Sequence, residues 1–193
     1  MGVLAHRGRE NGGRVRPSYP LGVVLADGEG SHDRQRLGVS ARPSSRYTDM
    51  RMIPAFGPDG YLPEGVHLAS EAEVTFRFGS ASPRRRRLAL RVRRWVELAR
   101  EIGASRLLID GSFVTDKPDP DDVDAAILLP ADFHERVRRG LDAALELEQM
   151  VLTRRPEELF AAEDEIDWDE WAEFFSRTRE PDGRRKGLVE IEL

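Results

Sequence analysis

The stretch Arg106-Leu107-Leu108-Ile109-Asp110-Gly111-Ser112, continued by Phe113-Val114-Thr115-Asp116-Lys117-Pro118-Asp119-Pro120-Asp121 and then by Asp122-Val123-Asp124-Ala125-Ala126-Ile127-Leu128-Leu129, decides how the chain reads. Its two short apolar runs have the length and composition of buried strands. Gly-Ser follows the first run directly, a proline-punctuated loop leads into the second, and Pro130 closes it. Because side chains alternate along a strand, Asp122 and Asp124 are expected on one face, with Val123 turned into the core. Gly111 lacks the Cβ that would keep a phosphate from the backbone, and Ser112 adds a hydroxyl beside backbone N–H groups, the makings of an anion nest. A carboxylate inside an apolar strand is costly to bury alone, so something should compensate Asp124. Asp119, Asp121 and Asp122, close to two prolines, also have the chemistry of ordinary turn formers.

Working outward, Ser70-Glu71-Ala72-Glu73 has the pattern of a helix capping box. Ser82 followed by Pro83 predicts the start of a longer helix, with Leu88, Val92, Trp95, Val96, Ala99 and Ile102 on one stripe and Gly103 at its end. After Pro130, the four-residue spacing of Phe133, Val137, Leu141 and Leu145 predicts one helix. Glu158-Leu159-Phe160-Ala161 is a third strand candidate. A further helix is expected around residues 167–175, and Asp182-Gly183 turns the chain into a closing strand over residues 187–193. The fold class expected is α+β, a small mixed sheet flanked by helices. Residues 57–65 read as a looped approach to it.

The chain has 193 residues, of which 39% are hydrophobic and 34% charged, and it contains no cysteine. One compact domain is therefore expected over residues 52–193, after a Gly-, Arg- and Ser-rich segment of residues 1–51 that reads as disordered. No apolar run is long enough to span a bilayer and no secretory signal is visible at the start, so no membrane association and a cytoplasmic location are expected. Without thiolates, any metal would rest on oxygen ligands and four histidines, which suits a hard cation such as Mg²⁺, with Mn²⁺ as a substitute. The net charge of −5 hides a cluster of arginines between residues 84 and 100. It lacks interleaved aromatics and is expected to be a solvated helix face rather than an RNA-binding surface. The tryptophans and Phe174-Phe175 are expected in the core or packed against a partner rather than as a base-stacking platform.

Gly111-Ser112 followed by Asp122-x-Asp124 resembles the hallmark of the nucleotidyltransferase superfamily, especially its minimal bacterial branch. An uncharacterised bacterial group within that superfamily is also similar, through Ile53-Pro54-Ala55-Phe56, Leu62-Pro63-Glu64-Gly65 and the ending from Lys186 to Leu193. The resemblance implies a Mg²⁺-dependent transfer of an NMP unit from a nucleoside triphosphate to a protein or RNA hydroxyl. Gly111 and Ser112 would hold the triphosphate, helped by Lys117, which stands where many relatives carry Arg-Gly. Asp122 and Asp124 would bind metal. A third carboxylate is wanted on a later strand; Glu158 is the choice, with Glu190 and Glu192 as competitors. The alternative is a catalytically inactive relative that binds a nucleotide or a partner protein, as in a toxin–antitoxin or phage-defence pair.

Overall fold

The computed structural model describes residues 53–153 and 158–193. The expected disorder of residues 1–51 lies outside the described residues, as do Met52 and Glu157. The architecture is α+β. The elements run β1 (Gly65–Ala69), α1 (Glu71–Gly79), α2 (Pro83–Glu101), β2 (Arg106–Asp110), a single 3₁₀ turn (Ser112–Val114) and β3 (Asp124–Leu128). They continue α3 (Phe133–Arg138), α4 (Asp142–Thr153), β4 (Glu158–Ala162), α5 (Glu165–Ser176) and β5 (Gly187–Ile191). The strands form one mixed sheet in the order β1-β5-β2-β3-β4, parallel at its two outer pairs and antiparallel where β2 meets β5 and β3. Among the described residues no helix is long and apolar enough to cross a membrane.

Strand alternation sorts the sheet residues onto two faces. Leu107, Ile109, Ala125, Ile127, Leu159, Val189 and Ile191 share one core with Val92, Trp95 and Val96 of α2 and Ala144 and Leu147 of α4. Phe160 faces the other way, onto α5, where its ring centroid lies 4.3 Å from that of Trp171 and 5.7 Å from that of Phe175. Trp95, Trp168, Trp171 and Phe175 are all buried, as their composition-based placement requires.

Local chemistry explains the helix starts. Ser70 caps α1 by accepting the Glu73 N–H, although the Glu73 carboxylate then accepts from Ile53 rather than from its own cap. Ser82 caps α2 by accepting the Arg85 N–H at 3.1 Å, with Pro83 as its first residue. Gly103, at φ +66°, follows its end. One expectation fails. The single helix over Phe133 to Leu145 is two helices, because Gly140 takes φ +73° between α3 and α4; Leu141 and Leu145 are 43% and 41% exposed rather than core. Residues 57–64 form the looped approach expected of them, and it ends in β1, a strand whose half-exposed Val66 and remote pairing partner left no local alternation to detect.

The arginine cluster is not uniformly solvated either. Arg85 is 5% exposed. Its guanidinium donates to the carbonyls of Phe78 at 3.0 Å, Phe113 at 2.9 Å and Thr115 at 2.8 Å, and also to that of Lys117. Arg84 donates to the carbonyls of Pro120 and Asp121. The start of α2 thus clamps both limbs of the loop between β2 and β3. A planar fork with five donors can serve all four carbonyls, one more than the three N–H groups of a lysine could. Arg85→Met is expected to lower stability by roughly 3 kcal/mol or more, read as a shift of the urea midpoint, because buried carbonyls lose their donor.

Candidate active site

Register brings the acids together. Asp110, the last residue of β2, pairs with Asp124, the first of β3, and Asp124 pairs with Glu158, the first of β4. Neighbouring strands lie about 4.8 Å apart, so three carboxyl-bearing residues stand side by side at one end of the sheet, on the face covered by α5. Asp122 precedes β3 and joins them from the loop.

Gly111 makes this register possible. It sits at φ +86°, and a Cβ there would lie 2.9 Å from Val123 Cα and 3.0 Å from both the Asp122 carbonyl oxygen and the Asp124 nitrogen. The glycine expected to admit a phosphate is therefore required first by the chain's own backbone. Ser112 is similarly engaged. Its N–H donates to Asp122 Oδ1 at 2.7 Å, its hydroxyl lies 2.6 Å from the same oxygen, and that hydroxyl also accepts the Asp121 N–H at 2.8 Å. The anion nest foreseen as open is filled by the Asp122 carboxylate. Lys117 pairs with Asp121 along the exposed loop.

The competitors for the third carboxylate are placed elsewhere. Glu190 receives two bonds from Arg106, at 2.8 and 2.9 Å, and that guanidinium lies 4.3 Å from the Trp168 ring centroid. It pairs with Leu108, one side-chain step down the sheet from Asp110. Glu192 lies beyond β5, where its N–H donates to the Ala69 carbonyl. Of the three candidates, Glu158 is the one next to Asp124.

Two buried residues of the site escaped the sequence reading. Asp110 is 4% exposed and Lys186 8% exposed, and their side chains pair directly. An ammonium just before an apolar strand was a visible signal, but its partner lies 76 positions earlier, so only the sheet order joins them. Arg179 adds a looser contact, 3.9 Å from Asp122 Oδ2 with its side chain 84% exposed.

The charges act on one another. Burial pushes the Asp124 carboxyl up, repulsion from Asp122, Asp110 and Glu158 adds to it, and together they bring it to about 7 despite a bond from the Glu158 backbone N–H. Burial also raises Asp110, against the pull of Lys186. At Asp122 burial is outweighed by the Ser112 donors, with Arg179 and Lys186 assisting, and its carboxyl is held below the usual range. Four carboxyl groups thus stand near one buried ammonium and one exposed guanidinium, and every donor the four acids offer is an oxygen. Among the described residues no three such side chains are already gathered into a metal cage, since Asp122 is held by Ser112 and Asp110 by Lys186.

A model of a family described as a family of unknown function (DUF6932) matches residues 54–192. No curated protein and no solved structure matches the chain.

The raised Asp124 carboxyl has a defined effect on stability. Between its ordinary value of 3.8 and about 7, the folded chain keeps a proton that the unfolded chain has shed, so stability falls as pH rises through that window and levels off above it. The slope from this group is at most about 1.4 kcal/mol per pH unit. Asp124→Asn is expected to flatten that part of the slope and to raise the urea midpoint at pH 8, measured against wild type at pH 5 and pH 8.

Proposed function

The chain belongs to this family of unknown function, and from its own residues we propose that it is a Mg²⁺-dependent nucleotidyltransferase moving an NMP unit from a nucleoside triphosphate to a hydroxyl of a protein or RNA. The observation that supports this reading best is the row formed by Asp110, Asp124 and Glu158, with Asp122 and the Ser112 donors beside it. Asp122, Asp124 and Glu158 would hold the metal; when bound, a divalent ion polarises phosphate oxygens and offsets their charge. Ser112 presents a backbone N–H and a hydroxyl to a phosphate oxygen once Asp122 turns from them toward the cation. Glu158, on the edge strand β4, would accept the proton of the acceptor hydroxyl. The acceptor oxygen then bonds to the α-phosphorus as the bond to the bridging oxygen breaks, and pyrophosphate leaves. Mn²⁺ would substitute for Mg²⁺, the same oxygens serving both.

A second reading, that of a nucleotide- or partner-binding relative without turnover, is favoured by the partners already present: Lys186 on Asp110 and Ser112 on Asp122. Labelled nucleotide with candidate acceptors separates the two. On the transferase reading, wild type labels an acceptor, Asp124→Asn and Glu158→Gln fall by roughly 100-fold or more, and Glu192→Gln stays at the wild-type rate. Nucleotide binding by wild type with no label transferred would select the binder.

A further inference from the structure

We propose that the groove between α1 and α2 is a binding surface for single-stranded RNA, with Phe76 as the platform on which a base stacks and Arg86, Arg93 and Arg100 set along the phosphate backbone. The groove lies apart from the acid row, and the proposal does not depend on what that row does. Within the arginine run itself no aromatic is interleaved; the fold supplies one from the neighbouring helix. Phe76 of α1 is 81% exposed and lines the same groove as the three arginines of α2. Seven residues make nearly two full turns, so those arginines fall along one side of α2, about 10 Å apart. Across from them α1 contributes Ala72 and Gly79, whose lack of bulk keeps the groove open beside the ring. Gly79 also comes so close to α2 that a Cβ there would lie 2.6 Å from the Ala89 Cβ. The ring and the guanidinium groups are thus carried on one closely packed pair of helices.

The charge of the groove does not cancel. Glu71 is the acid among its lining residues, and its carboxylate is shared by Arg93 at 3.3 Å and Arg100 at 2.9 Å. Arg100 makes a further 3.5 Å contact with the Glu192 carbonyl, and Arg86 donates to the Ser80 carbonyl at 3.2 Å. Three guanidinium groups therefore meet one lining carboxylate, a local positive surplus in a chain whose net charge is −5. Its complement is a polyanion. A phosphate backbone carries a charge at every nucleotide and needs no register with the arginines, while unpaired bases offer the flat faces that an exposed ring and guanidinium planes stack on. An acidic peptide could match the guanidinium groups only by setting its carboxylates at their spacing, and a duplex hides its base faces. Thr75, on the same wall, brings a hydroxyl that suits the ribose 2′-hydroxyl, which DNA lacks.

The test is the fluorescence anisotropy of an end-labelled, unstructured RNA of about 12 nucleotides, titrated with the full chain over a series of KCl concentrations. Phe76→Ala is expected to weaken binding roughly tenfold, the loss of one stacked base, with its salt dependence unchanged. Arg86→Gln combined with Arg93→Gln is expected to weaken binding and to make the slope of log affinity against log salt shallower by about 1.4, as two single-strand phosphate contacts are lost. Arg138→Gln removes an exposed guanidinium on α3 and is expected to bind as wild type does. The replaced side chains all lie at the surface, so each variant is expected to fold as wild type does. The inference is overturned if the RNA does not bind, if either groove variant binds as wild type does, or if Arg138→Gln loses as much as the double variant. Equal affinity for DNA of the same sequence would overturn it in favour of any single strand. Displacement of the RNA by poly-glutamate at matched charge would overturn it in favour of an acidic protein segment.

Discussion

Everything at the polar end of the sheet depends on the missing side chain of Gly111. Three backbone atoms of residues 122–124 pass within about 3 Å of where its Cβ would stand, and the residue holds a left-handed conformation besides. With any other residue the lead-in to β3 would have to move away from the end of β2. Asp110 and Asp124 would then lose their pairing, and a shift by one residue would send every β3 side chain to the opposite face. The acids meet because the chain crosses itself closely at one point, and the crossing is held from outside by the Arg84 and Arg85 guanidinium groups on the loop carbonyls.

That crossing explains what could be read without coordinates. The two strands around Gly-Ser, the capped helices at Ser70 and Ser82, the aromatic face of α5 and the closing strand are written in local composition and period, and their residues lie where those signals put them. Asp122, Asp124 and Glu158 were legible as candidates because they flank apolar runs. Asp110 and Lys186 were not, since nothing local points from either to the other and the pair exists only because β5 is inserted beside β2. Arg85 misled for a related reason. Within a run of arginines nothing local marks the one whose helix position points inward at a loop some thirty residues further on.

The two faces of the sheet divide the labour. One is packed with aliphatic side chains under α2 and α4 and carries no charge among its core members. The other carries the acid row at one end and the Arg106–Glu190 pair under Trp168 at the other, with the Phe160–Trp171–Phe175 cluster over its β4 side. Polar chemistry is thereby held on a rigid platform whose opposite face supplies most of the hydrophobic stabilisation, an arrangement that tolerates mutually repelling carboxylates.

The insertion of β5 between β1 and β2 also orders events during synthesis. Gly65 of β1 pairs with Gly187, so β1 has no strand to join until residues far along the chain have emerged from the ribosome. The β2–β3 hairpin and its β4 neighbour can form early, since their pairing spans shorter stretches of chain. The ammonium that balances Asp110 arrives only with the last strand. Asp110 therefore lacks its ammonium until β5 has been made, and the closing of the sheet and the pairing of Asp110 with Lys186 are one long-range event, of the kind that slows folding.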